Sequence, residues 1–143
     1  MIAEMKFRIE NISEADWKEI PGLIKKFDLD STDLHREQFV VCKRENVLCG
    51  FGRIRSFKGF DLFSSLAVLP EYRNQSVAQI IIEKLLQKAR QDVFFVTALP
   101  AYFLKYGFEE TTVYPDDLKK IVESCSLSCS CMPAVMVYKK QQN

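Results

Sequence analysis

Residues 65–82 read Ser-Leu-Ala-Val-Leu-Pro-Glu-Tyr-Arg-Asn-Gln-Ser-Val-Ala-Gln-Ile-Ile-Ile, and this stretch decides how the chain is understood. An apolar run ends at Leu69, Pro70 closes it, and the polar residues Glu71 to Ser76 follow. Val77, Ile80, Ile81, Leu85 and Ala89 then recur at helical spacing toward Arg90. A strand therefore ends, a short loop follows and a long helix starts at once. The first amides of such a helix have no partner within it and lie at the positive end of its dipole, so they can bind an anion. Ser76 and Ala78 are small enough to let a phosphate approach, and Arg73 adds a positive charge. The same residues also allow an ordinary strand-loop-helix connection that binds nothing.

Upstream, residues 5–10 alternate apolar and polar (Met5, Phe7, Ile9) as a first strand. Ser13 is placed to cap a helix starting near Glu14, with Trp17, Ile20, Leu23, Ile24 and Phe27 on its apolar face and Pro21-Gly22 weakening it. Residues 31–37 are read as a short helix. Residues 38–44 and 47–57, joined by Glu45-Asn46, read as a hairpin. Lys58-Gly59 turns the chain again into a strand over 60–69. Downstream, 92–98 is a nearly all-apolar strand of the kind that lies in the middle of a sheet. Pro100 opens a short helix that Gly107 ends. A strand over 108–113, a helix from Pro115 to about Glu123 and a last strand over 134–139 complete the chain. The order is β-α-α-β-β-β-α-β-α-β-α-β, an α+β fold with a mixed sheet of about six to seven strands.

The 143 residues suit one domain, 1–143, without repeat or linker. The formal net charge of +1 gives no overall field for nucleic acid or an anionic membrane. No apolar run approaches the roughly 20 residues of a membrane-spanning helix. The first residues mix charge with apolar character, unlike a signal peptide, so a cytoplasmic location is expected. Of five cysteines, Cys42 and Cys49 sit in apolar strands as core. Cys125, Cys129 and Cys131 form a C-x3-C-x-C cluster open to three readings: free thiols, a redox switch, or part of a zinc site lacking an obvious fourth ligand. No metal is expected.

The segment resembles the acetyl-CoA motif of the GNAT superfamily of N-acetyltransferases, [Q/R]-x-x-G-x-[G/A] after a V-x-P-x-Y-R strand end. Val68, Pro70, Tyr72 and Arg73 match, and Arg73-Asn74-Gln75-Ser76-Val77-Ala78 follows the motif with Ser76 in place of its first glycine. A second feature of that family fits Tyr102-Phe103-Leu104-Lys105-Tyr106-Gly107-Phe108. The resemblance implies acetyl-CoA as co-substrate, held by Leu66, Ala67, Val68, the 73–78 loop, Phe103 and Lys105. It implies that the 60–69 strand splays from its neighbour after Ala67, with the backbone of Leu66 and Val68 pairing with the pantetheine arm. The Val68 N–H would then polarise the thioester carbonyl. Ser76 is expected to take an ordinary helical backbone. Phe103 stands where many members carry a tyrosine acid.

Within the superfamily, residues 94–108, together with Pro115-Asp-Asp-Leu118 and Ala134-Val-Met136, resemble N-acetylglutamate synthase acetyltransferase domains and their short relatives. The chain carries no amino-acid-kinase domain. Arg53 and Arg55, two apart on a strand, share a face. They either hold an acceptor's α-carboxylate, with Ser65 adding a hydrogen bond, or form a solvated strand face. The acceptor implied is a small-molecule amine, an amino acid such as glutamate. Another amine (polyamine, antibiotic, protein N-terminus) and a non-catalytic acyl-CoA binder are the alternatives. A homodimer through the apolar last strand is allowed.

Overall fold

The structure, a computed structural model, describes residues 6–128 and 133–140, the backbone alone over 125–128. Its elements are β1 (Arg8–Glu10), α1 (Glu14–Lys26), β2 (Phe39–Arg44), β3 (Val47–Phe57), β4 (Phe60–Val68), α2 (Val77–Lys88), β5 (Val93–Thr97), α3 (Pro100–Leu104), β6 (Glu109–Glu110), α4 (Asp116–Ser128) and β7 (Ala134–Tyr138). The class is α+β as expected, and the strands hydrogen-bond in the order β1-β2-β3-β4-β5-β7-β6. The described residues form two compact units. One runs through Arg55 and adds Phe63–Lys88; the other is Ser56–Leu62 with the chain from Ala89 on.

In the first unit, β1 pairs antiparallel with β2, and Met5 of the expected strand lies outside the described residues. The Ser13 hydroxyl accepts from the Asp16 N–H at 3.1 Å, while the Asp16 carboxylate accepts from the Ser13 N–H at 2.9 Å, a reciprocal cap on α1. Pro21 removes one helix donor, yet α1 continues to Lys26. Burial explains why: Ile20 and Ile24 sit in a core with Phe39, Val41, Leu48, Phe51 and Ala67. The β2–β3 turn puts both Glu45 (φ 52°) and Asn46 (φ 66°) at positive φ, the geometry that suits the twist of a two-residue hairpin.

β3 and β4 are joined as a hairpin. The Lys58-Gly59 turn sets Phe57 opposite Phe60, whose rings stack at 4.9 Å. At the other end the Leu69 N–H donates to the Cys49 carbonyl at 2.9 Å. Against this hairpin α2 packs closely because Gly50 and Gly52 lack side chains. A Cβ on Gly50 would stand 2.7 Å from the Ala67 carbonyl oxygen, and one on Gly52 2.6 Å from Ile81.

The helix expected over 31–37 does not form. A single 3-10 turn, Arg36–Gln38, occupies its end, and Asp33 sits at φ 46°. The cause is Arg53, which takes the carbonyls of Asp30, Thr32 and Asp33 and so draws this segment away from helical pairing.

In the second unit β5 pairs antiparallel with β7, and β7 with β6, around a core of Phe60, Leu62, Phe94, Leu118, Val135 and Val137. β5 lies inside the strand order, as its apolar run suggests. Buried Asp61 accepts from the Arg90 N–H at 2.9 Å and from the Gln91 amide side chain at 3.0 Å, fixing the turn before β5. The strand expected over 108–113 shortens to Glu109–Glu110. Beyond it the Thr111 hydroxyl bonds the Val113 carbonyl and N–H, a local turn that replaces the ladder. α4 runs to Ser128, five residues past its expected end, so Cys125 lies on helix backbone; Cys129 and Cys131 lie outside the described residues. β7 has neighbours on both sides at Met136 and Val137.

Candidate functional site

The loop from β4 to α2 is held by its own groups. After β4 a 3-10 turn, Pro70–Tyr72, closes with the Tyr72 N–H on the Leu69 carbonyl. The Arg73 Nε donates to the Val68 carbonyl at 3.1 Å, and the Gln75 side-chain amide to the Glu71 carbonyl at 3.1 Å. Asn74 stands at φ 65° and Ser76 at φ 70°. The second value corrects the expectation of a helical backbone at Ser76. A residue with a Cβ pays roughly 1–2 kcal/mol in this left-handed region, where glycine pays almost nothing. The serine thus keeps a glycine's conformation at the one place where it departs from the motif.

Ser76 accepts the first helical bond, from the Ile80 N–H at 3.1 Å. The amides of Val77, Ala78 and Gln79 therefore begin the helix without a partner within it. Exposed Ser76 and half-buried Ala78 border them, while the Val77 side chain is 1% exposed and packs in the core beside Gly50. The Val77 side chain is thus closed off and only its backbone is open to a ligand. Turns with positive-φ residues followed by free helix amides make an anion-binding concavity.

The backbone of β4 supplies a second feature. Leu69, just past β4, donates its N–H to the Cys49 carbonyl, and the Val68 carbonyl accepts from the Arg73 Nε. Ala67, 7% exposed, packs in the core.

Arg53 and Arg55 do share a face, and both reach Asp30. The Arg55 guanidinium lies 3.0 Å from Asp30 Oδ2 and that of Arg53 3.6 Å from it. Arg53 is fully buried. Its Nε donates to Gln38 Oε1 at 2.8 Å, NH1 to the Asp30 carbonyl at 3.0 Å, and NH2 to the carbonyls of Thr32 and Asp33. Burial lowers its pKa, opposed by the nearby Asp30 charge. With all three nitrogens engaged, Arg53 organises residues 30–38 and offers no donor to an acceptor carboxylate, which corrects one half of the expected clamp. Ser65, 2% exposed, and its neighbour Ser64 have hydroxyls with no protein partner. A buried hydroxyl in that state costs about 1–3 kcal/mol unless water or a ligand meets it.

In the second unit Phe103 is 4% exposed and packs edge-on against Phe95 at 4.7 Å and near Phe108 at 6.1 Å, a core role. The Lys105 ammonium lies 4.3 Å from the centre of the Tyr102 ring and 5.3 Å from that of Tyr106. The hydroxyls of Tyr102 and Tyr106, one helical turn apart, approach to 3.3 Å. The sequence reading missed Asp30 and Gln38 as the partners of Arg53, which only tertiary contact reveals. It also missed Gly50 and Gly52, although a glycine pair inside a strand signals close backbone approach.

Residues 35–110, just over half of the chain, match the family profile described as an acetyltransferase (GNAT) domain. Among solved structures, N-acetylglutamate synthase from Neisseria gonorrhoeae, complexed with coenzyme A and N-acetyl-glutamate, is similar at TM-score 0.76 and 17% identity, over 98% of this chain and 36% of that one. The chain thus spans about a third of the length of that synthase. Rv2747 from Mycobacterium tuberculosis, in complex with CoA and NLQ, is similar at TM-score 0.73 and 18% identity, covering 94% of this chain and 99% of that one. The ribosomal-protein-S18-alanine N-acetyltransferase from Escherichia coli is similar at TM-score 0.65 and 12% identity, over 96% of each chain.

Proposed function

The chain belongs to the GNAT acetyltransferase family, and from that premise we propose that it transfers the acetyl group of acetyl-CoA to the primary amine of an amino acid such as glutamate. The observation that carries the reading is the 73–78 loop. Its positive-φ turn opens α2 with amides that have no partner within the helix, shortly after β4 ends at Val68. In this reading the amides of Val77, Ala78 and Gln79 and the Arg73 charge hold the pyrophosphate, with Asn74, Gln75 and Ser76 shaping the turn. The backbone of Leu66 and Val68 pairs with the pantetheine arm as an added strand does.

The chemistry then follows from the backbone. The Val68 N–H donates to the thioester oxygen as negative charge builds there. The neutral amine nitrogen attacks the carbonyl carbon, the C–S bond breaks, and the nitrogen gives up a proton to water or a base. The CoA thiolate leaves and takes a proton from solvent. The acceptor's carboxylate is placed toward Arg55, and the unpartnered Ser65 hydroxyl adds a hydrogen bond. The amino-acid class is supported by this arginine and by the fold shared with the N-acetylglutamate synthase. We read residues 1–143 as one catalytic domain acting in the cytoplasm; among the described residues no helix is long and apolar enough to cross a membrane.

The test is release of CoA thiol with acetyl-CoA and glutamate, spermidine or a short peptide, with the acetylated product identified by mass. Turnover of glutamate in preference to the other two is expected. Turnover of spermidine or peptide alone would overturn the acceptor class, and no turnover of any amine would overturn the activity.

A further inference from the structure

The first unit contains a cavity of about 550 Å³ that takes no part in the proposed reaction. It lies at the far end of α2 from the 73–78 loop. Lys84 and Lys88, which line it, come 7 and 11 residues after Val77, or about 10 and 16 Å along the helix axis. Ile9 and Val40 give the cavity an apolar surface, and Glu10 and Glu37 border it from β1 and the 3-10 turn. Arg36 also lines it, but its guanidinium is held by the Glu14 carboxylate at 2.6 Å and the Ile12 carbonyl.

The remaining charges balance, the two cations on one element and the two carboxylates on others. Two ammonium groups stand on α2, one turn from each other, where like charges repel slightly. Two carboxylates belong to the elements that border the cavity from the sheet side. Lys88 donates to the Glu37 carbonyl, and Lys84 has no acceptor among the described residues. Burial lowers the Lys88 pKa, Glu37 opposes that shift and Lys84 adds to it. An array with no net charge, its cations on one wall and its carboxylates on another, favours a ligand that carries both charges over one that carries a single charge.

We propose that this cavity binds a small zwitterion with an aliphatic body. Its carboxylate meets Lys84 and Lys88, its ammonium meets Glu10 and Glu37, and its hydrocarbon lies on Ile9 and Val40. This site does not depend on the proposed acetyl transfer, and it is probed without acetyl-CoA.

Leucine, 4-methylpentanoate and 3-methylbutylamine share one carbon skeleton and differ in which charges they carry. Each is titrated into the isotope-labelled protein while backbone amide shifts are followed. Leucine is expected to shift amides in 36–40 and 84–88 saturably, and the two singly charged analogues to bind about tenfold or more weakly. Lys84→Glu, a change on an exposed helix surface, is expected to lose leucine binding about tenfold, its own amide spectrum reporting that it remains folded. Either analogue binding as tightly as leucine, unchanged binding to the variant, or shifts absent or confined to 73–79 would overturn the proposal.

Discussion

Asp16 and Lys43 form an ion pair at 2.7 Å with each side chain only 7% exposed. Burial by itself would raise the Asp16 pKa. The Lys43 ammonium, helped by the Ser13 N–H and hydroxyl, outweighs it and holds the carboxyl below its ordinary value of 3.8. A folded pKa below the unfolded one means stability that is complete above the unfolded value, about 4, and is lost as pH falls through the folded value. Lys43→Met removes the partner and leaves a buried carboxylate, a loss of about 3–5 kcal/mol at neutral pH. Denaturant unfolding across pH checks both points. The contribution of the Asp16–Lys43 pair to wild-type stability is expected to be lost only below about pH 4. The variant is expected to gain relative to wild type as the pH falls. A variant equal to wild type at neutral pH contradicts this account of the pair. Ser76 stands at the same scale, since a single φ of 70° decides whether the residue continues a helix or turns an anion loop.

Among elements, the packing of α2 on the β3–β4 hairpin holds β4 where Leu66 and Val68 can present their backbone. Gly50 is the closest point, because a Cβ there meets the Ala67 carbonyl oxygen at 2.7 Å, a backbone atom that cannot rotate away. Gly50→Ala is expected to destabilise by about 1–3 kcal/mol and to lower kcat/KM for acetyl-CoA by displacing β4. A variant with wild-type melting temperature and kinetics would contradict the tight packing. These elements were largely legible in the sequence: the hairpin by its Glu45-Asn46 turn, α2 by its stripe, and β5 by its apolar run. What escaped was set by long-range contact. Nothing local in residues 31–37 announces that a buried arginine twenty residues on takes three of their neighbourhood's carbonyls. The Ser76 backbone also escaped, because serine gives no local sign of a left-handed position.

For the molecule as a whole, family membership is secured by the matching profile, and the described residues form a seven-strand sheet whose strands follow one another as expected. The chemistry rests on one proposition, that the loop opening α2 receives the pyrophosphate of acyl-CoA. Calorimetric titration of CoA into wild type, Ser76→Gly and Ser76→Asp tests it most directly. Glycine relaxes the left-handed backbone by about 1 kcal/mol and opens the approach to the amides, so it is expected to bind CoA at least as tightly as wild type. Aspartate tolerates the same φ but sets a negative charge against the phosphates, and is expected to weaken binding about tenfold or more. A folded wild type and glycine variant that both fail to bind CoA, or an aspartate variant that binds it as wild type does, would contradict the account.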